Sequence, residues 1–425
     1  MKSKTAYREK LRKRYKYVDK SFILFVLTLF QAISFIPVTF RESEEILQIS
    51  LLVTGYIIFE WVYVLFMSLV MKKVNFELEL IAFFLSGIGI CVIGSRYGFA
   101  DMAKQLICVV AGVIAYDILL WFLKDVRRAM AVRNYIGILS LIFFAGCFVY
   151  IRFVSKTYVN GAWNWIYLGG ISFQPSEFVK IAFIFVGGAT LDKILKTTNI
   201  LLYIVFSVSC IGILFLMKDF GTALIYFFTF IVIAYMRSGD IRSIIYILAG
   251  ALLGAVMIII FLPHVLSRFE TYRHIWEDVN GRGYQQTRVL IYAVSGGLQG
   301  LGIGNGHLRD VFASTSDLVF GMICEEWGLL IALAIVITFA FIAVYTIRCA
   351  RSAPSTFYSI SACAAAAMIL FQTCLNIFGI TDILPLTGVT LPFISQGGSS
   401  VIACWALFAF IKAADIRAYP KLYKT

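Results

Sequence analysis

The stretch WEDVNGRGYQQTRVLIYAVSGGLQGLGIGNG, residues 276–306, lies inside the longest polar interruption of a strongly apolar chain, about 264–316. It opens with two adjacent carboxylates, Glu277 and Asp278, and passes glycines 281 and 283. An amphipathic segment follows, and six glycines fall between 296 and 306. All three histidines, His264, His274 and His307, lie in the same interval. On either side the sequence returns to apolar runs of about 20 residues, the length that crosses a ~30 Å hydrocarbon layer. A long polar loop set between such runs is the place to look for chemistry.

Working outward, the 425 residues are 60% hydrophobic and 14% charged, with mean hydropathy +0.87. A soluble domain averages about 25% charged. The runs are continuous rather than alternating, which excludes a β-barrel and predicts an all-α polytopic membrane protein. The net charge of +13 does not signal nucleic acid, because the basic residues sit between the runs, as topology signals do. The nine cysteines fall in or at the ends of apolar runs and read as small buried hydrophobes. The first apolar run follows nine Lys or Arg in Met1–Lys20 and carries no small-residue cleavage motif, so it reads as an anchor.

Twelve transmembrane runs are expected, at about 21–40, 46–71, 78–93, 105–123, 135–150, 177–191, 200–217, 222–236, 243–262, 318–346, 357–380 and 401–411. With Met1 in the cytoplasm, 25 of the 37 Lys and Arg fall on the inner side. That asymmetry puts both termini inside and the large loop 264–315 outside. The expected organisation is a basic cytoplasmic tail at 1–20, two N-terminal helices at 21–71, a core at 78–414 and a cytoplasmic tail at 415–425.

Other motifs gather on the same predicted face. In NGAWNWIYLGGISFQPSEFVK, 160–180, Pro175 fits a helix start, and Glu177 and Lys180 share a helix face. They read as a local ion pair, or as site residues if Lys180 points into a cavity, since an ionisable group at membrane depth is retained for a reason. Lys218 and Asp219 sit at a tight turn. Glu60 and Asp117, alone in apolar runs, read as buried hydrogen-bonding groups. Glu325 and Glu326 are consecutive, so at most one faces a given cavity squarely. The segment ILPLTGVTLPFISQGGSS, 383–400, predicts a re-entrant turn beside the large loop.

These pieces together resemble the SEDS family, the shape, elongation, division and sporulation membrane proteins of RodA, FtsW and SpoVE type. Five ordered motifs carry the resemblance: NGAWNW…FQPSE at 160–177, DFGT at 219–222, WED…GRGYQ at 276–285 leading into SGGLQGLGIGNG at 295–306, SDLVFGMICEEWG at 316–328, and LPLTGVTLPFISQGGSS at 384–400. The resemblance implies a ten-helix core with two helices added before it. It implies peptidoglycan glycosyl transfer from lipid II at the outer face of the bacterial cytoplasmic membrane, with Asp278 as catalytic acid. It further implies a class B penicillin-binding protein as partner within a cell-wall synthesis complex. The chain departs from the family pattern at Asn164, Met217, Lys218 and Val279.

The residues allow that chemistry. A carboxylate can take the proton of an attacking sugar hydroxyl. The leaving lipid pyrophosphate needs positive charge, from Lys180, Lys218, Arg273, Arg282 or Arg288, or from a divalent cation, Mg or Mn. No metal-ligand spacing is visible, and the histidines are too scattered to form a site. Glycines beside the acid allow close backbone approach to a sugar or phosphate, or simply loop freedom. The candidate substrate contacts are Glu177, Lys180, Lys218, Asp219, Arg273, Arg282, Tyr284, Gln285, Glu325, Ser395 and Ser399. Spacing alone does not separate Glu277 from Asp278; the family pattern favours Asp278. A lipid flippase and a non-catalytic scaffold are the alternative functional classes.

Overall fold

A computed structural model of the chain describes residues 20–40, 44–71, 75–159, 161–169, 171–191, 197–239, 245 and 272–415. The helices are α1 (Lys20–Thr39), α2 (Ile46–Val70), α3 (Glu77–Tyr97), α4 (Phe99–Leu123) and α5 (Val126–Val149), which runs on as a π-helical turn to Ser155. A hairpin of β1 (Ile166–Leu168) and β2 (Ile171–Phe173) follows, in antiparallel register with Ile166 opposite Phe173. Then come α6 (Pro175–Leu191), α7 (Thr197–Leu216), α8 (Phe220–Ser238), α9 (Tyr284–Ser295), α10 (Val319–Glu326), α11 (Gly328–Arg351), α12 (Thr356–Ile380) and α13 (Gly398–Ala414). Among the described residues, eight helices are long and apolar enough to cross a membrane, and the chain is a polytopic helical membrane protein. Apart from Ile245, the expected run at 243–262 lies outside the described residues, as do residues 264–271 of the loop. Every other expected run falls on one helix except 318–346, which falls on two.

Local sequence sets the helix ends. Asp125 caps α5 by accepting from the Arg127 amide at 3.0 Å. Gly98, at φ 76°, turns the chain between α3 and α4, and Gly239, at φ 62°, closes α8. Pro175 opens α6, where a missing N–H costs nothing.

The bundle is built around α13, nearly every residue of which is buried. It packs along α4, with Trp405 laid over Gly112, where a Cβ would come within 2.8 Å of the indole. Small residues at such crossings let helices approach where lipid supplies no hydrophobic drive. The added pair α1–α2 is stitched to the bundle by polar contacts. Gln31 of α1 donates to Glu60 of α2 at 2.8 Å within the pair, while Tyr56 of α2 donates to the Phe83 carbonyl of α3 at 2.8 Å. Tyr63 of α2 donates to Asp117 of α4 at 3.1 Å. Both lone acids are therefore hydrogen-bonded inside the bundle.

The expected single helix at 318–346 is a correction. It breaks at Trp327, and Gly328 takes φ 80°, so α10 and α11 are separate. The break has a physical cause: a segment of the large loop runs through it, and a Cβ at Gly328 would collide with the backbone of residues 298–300.

Candidate active site

The tight turn between α7 and α8 is made possible by Lys218 at φ 60°. Asp219 then caps α8, one oxygen accepting from the Thr222 amide at 3.1 Å. Its other oxygen accepts from Asn164 at 2.9 Å and Gln174 at 2.8 Å. One carboxylate thus ties the segment before β1, the start of α6 and the start of α8 together. The Trp163 amide donates to the Met217 carbonyl at 2.8 Å across the same junction.

Beneath this junction Lys180 is 1% exposed. Its ammonium donates to Glu177 at 2.7 Å and to Gln372 of α12 at 2.8 Å. Gln372 passes the network on to the carbonyl and hydroxyl of Thr390, at 2.9 and 3.1 Å, and the Thr390 hydroxyl meets Ser400 at 2.9 Å. A buried charge needs such partners.

These groups line a cavity of about 280 Å³ that also takes in Lys218, Asp317, Thr387 and Gln396. Within it, Oε2 of Glu177, Oδ1 of Asn164 and Oγ1 of Thr387 are buried and have no hydrogen-bond partner among the described residues. They are open positions for donors of a ligand, such as hydroxyl or amide groups. A second, larger groove of about 600 Å³ between α1, α3 and α11 is apolar apart from Glu77 and Thr338. It is unsuited to a sugar or phosphate.

The segment 381–397 is non-helical, buried at 391–395 and half-buried or exposed over most of 381–390, while the last residues of the turn expected at 383–400 open α13. Ser395 donates to the Ser316 carbonyl at 2.6 Å and accepts from the Leu391 amide at 2.8 Å. Ser399 accepts from the Gln174 amide at 3.3 Å. Both serines therefore shape the wall of the cavity rather than its lining.

The large loop stands beside this segment. Tyr272 donates to the Ile383 carbonyl at 2.8 Å, the Arg273 amide meets Asp382 at 3.3 Å, and Gln286 donates to the Gly379 carbonyl at 2.9 Å. The start of 381–390 thus holds the loop and its end lines the cavity. Asp278 is exposed, on the turn before α9, and accepts from the Arg282 amide at 3.0 Å. A Cβ at Gly281 would collide with the Asp278 carboxylate, so glycine there leaves the acid room to fold over the turn. Glu277 is also exposed, but its carboxylate meets His274 at 2.8 Å. The two acids that spacing left equal are therefore held differently.

Asp278, Arg273, Arg282, Tyr284 and Gln285 are not in the cavity lining. The Arg273 guanidinium lies over the Tyr272 ring, Tyr284 lies under Arg288, and Gln285 donates to the Phe312 carbonyl at 3.2 Å. Glu325, expected to contact substrate, does something else. Its two oxygens accept from the amides of His307 at 2.7 Å and Leu308 at 2.8 Å, while Glu326 accepts from Gly304 at 2.9 Å. The glycine-rich loop is thus an amide nest occupied by the chain's own carboxylates. Among the described residues no three His, Cys, Asp or Glu side chains converge to hold a metal ion.

Sequence reading missed Gln174, Asp317, Gln372 and Thr390. Gln372 carried a usable signal, since it and Asn376 are amides four residues apart in an apolar helix.

A family model described as cell cycle protein, covering FtsW, RodA and SpoVE, matches residues 68–419, which leaves α1 and most of α2 before it. The chain is 29% identical over 328 residues to a peptidoglycan glycosyltransferase RodA of Mycobacterium tuberculosis, covering 72% of this chain and 69% of that protein. It is 33% identical over 253 residues to stage V sporulation protein E of Bacillus subtilis, covering 57% and 68%. Its fold is similar to a chain of a peptidoglycan synthase complex described as coordinating polymerization and crosslinking, with TM-score 0.67, 22% identity and coverage of 82% and 99%. It is similar also to the rod shape determining protein RodA of Thermus thermophilus, with TM-score 0.60, 21% identity and coverage of 81% and 97%.

Proposed function

The chain belongs to the FtsW/RodA/SpoVE family and is a multi-pass bacterial membrane peptidoglycan glycosyltransferase; from that premise we propose that it polymerises lipid II with Asp278 as base and the Lys180 cavity as substrate site. The observation that carries this reading is the cavity itself. It is a polar pocket at the loop end of a lipid-embedded bundle, with a buried ammonium and open acceptor atoms on its wall.

Asp278 removes the proton from the acceptor sugar hydroxyl as that oxygen attacks the anomeric carbon of the donor. The bond from the anomeric carbon to phosphate breaks, and the lipid pyrophosphate leaves with the electron pair. Because that leaving group is already good, no second carboxyl has to protonate it, unlike the alcohol released by a glycosidase. Lys180 and Lys218 supply positive charge for the pyrophosphate. Glu177, Asn164 and Thr387 take hydroxyl and amide donors of the sugars. The loop and cavity open on the outer face, in keeping with the excess of basic residues on the other side. The chain works with a class B penicillin-binding protein that crosslinks the strands, a reading supported by the fold's likeness to a chain of a synthase complex.

The test is glycan-strand formation from pure lipid II by the purified protein, alone and with a transpeptidase co-purified from solubilised membranes. Polymer of many disaccharides is expected. Lipid II left unchanged in both arms while it crosses vesicle membranes would replace this reading with a flippase.

A further inference from the structure

The break between α10 and α11 is filled by the glycine-rich segment after α9. The amides of Leu301 and Gly302 donate to the carbonyls of Glu325 and Glu326, at 2.9 and 3.0 Å. The carbonyls of Gly297 and Leu298 accept from the amides of Leu329 and Leu330, at 3.0 and 3.2 Å. Helix ends that would otherwise lack partners are thus satisfied by the crossing segment. Gly300, at φ 83°, lies so close to Gly328 that a Cβ on either would collide with the other's backbone. The segment is built into the end of a membrane helix.

That placement sets its depth. The 24 residues of α11 extend about 36 Å at 1.5 Å per residue, slightly more than a ~30 Å hydrocarbon layer. Its far end carries Arg348 and Arg351, so Gly328 lies at the opposite edge of the apolar layer. Leu329, Leu330, Leu333 and Ile337 are exposed and form the lipid-facing side. Leu298, whose carbonyl accepts from the Leu330 amide, is 62% exposed, and Leu301 after it, Val294 at 79% and Ile291 on α9 are exposed as well. Helix α9 is inside out for a helix in water. It buries Val289 together with the polar Gln286 and Thr287, and still presents Ile291 and Val294 outward.

We infer that the strip Ile291, Val294, Leu298 and Leu301 inserts into the lipid surface at the Gly328 end of α11 and anchors the large loop to the bilayer. The occupant is lipid because the strip is continuous, through backbone hydrogen bonds, with the lipid-facing side of α11. An apolar helix face lying in the interface plane binds lipid in this way. The insertion also explains the Glu325 and Glu326 contacts, since non-helical backbone at that depth has little water to satisfy its amides. If Asp278 is the base, as proposed above, the anchor holds it over the leaflet that carries the lipid-linked sugar. The insertion itself does not depend on that reading.

An environment-sensitive fluorescent amino acid placed at position 298, or at 280 as comparator, tests this in full-length protein in phospholipid nanodiscs. Lipids bearing a nitroxide on the upper acyl chain are expected to quench position 298 strongly while aqueous iodide does not. Position 280 should show the reverse. Position 294 serves as a second site in case substitution at 298 disturbs the helix break. Quenching of 298 and 294 by iodide, or by neither agent because protein covers them, would overturn the inference.

Discussion

Lys180 lies buried on a chain of hydrogen bonds that runs from Glu177 through Gln372 and Thr390 to Ser400, whereas Asp278 lies exposed on a turn with its carboxylate on the Arg282 amide. The first arrangement fixes a charge in place before any ligand arrives. Its cost of desolvation is offset by partners, and its geometry cannot drift. The second leaves a carboxylate free to accept a proton and release it to water. Binding a pyrophosphate sugar and removing a proton make these opposite demands, and the chain meets them in two places joined by 381–390. On the assignment proposed above, burial marks the binding half of the site and exposure the catalytic half.

Substitutions can break this division. Asp278→Asn keeps shape and removes the base, and a polymerisation rate lower by about 10²–10⁴-fold is expected, with thermal unfolding unchanged because the side chain is exposed. Lys180→Met leaves Glu177 buried without its cation, and a loss of about 3–5 kcal/mol in stability is expected by thermal or denaturant unfolding. Adding Glu177→Gln to it should restore most of that stability without restoring substrate binding. If the double variant binds lipid II normally, Lys180 has only a structural role.

Glu325→Gln removes a charge that two loop amides share and puts an N–H₂ against one of them. A local cost of about 1–3 kcal/mol is expected, read as faster hydrogen exchange at His307 and Leu308 with the rest of the bundle unaffected. Glu277→Gln is the smallest change. Its partner His274 is exposed, so the pair contributes about 0–1 kcal/mol, and a polymerisation rate close to wild type is expected.

Much of this was legible in the sequence. Continuous apolar runs located the described helices that cross the bundle, because a bilayer demands length and apolarity before anything else, but not all their ends: Phe99–Leu123 and Val126–Val149 start well before the expected 105 and 135. Glu177 and Lys180 were legible as a pair because helical spacing puts them on one face. What stayed hidden depends on contacts distant in sequence. Glu325 read as a candidate substrate contact, yet its partners are amides 17 and 18 residues away on a loop with no helical period. Asp219 and Gln174, 45 residues apart, meet only once the bundle has formed. The break at Trp327 had a glycine to mark it, but nothing local said that another segment would cross there. Spacing left Glu277 and Asp278 equal, and the structure holds one against His274 and the other against the Arg282 amide.

The central claim, that the cavity binds and the loop catalyses, is tested most directly by measuring lipid II binding and polymerisation on the same preparation of Asp278→Asn. The account predicts a dissociation constant close to that of the wild type and a rate lower by about 10²–10⁴-fold. Binding lost together with the rate would place Asp278 in the binding half. A rate near wild type would remove it from the chemistry altogether.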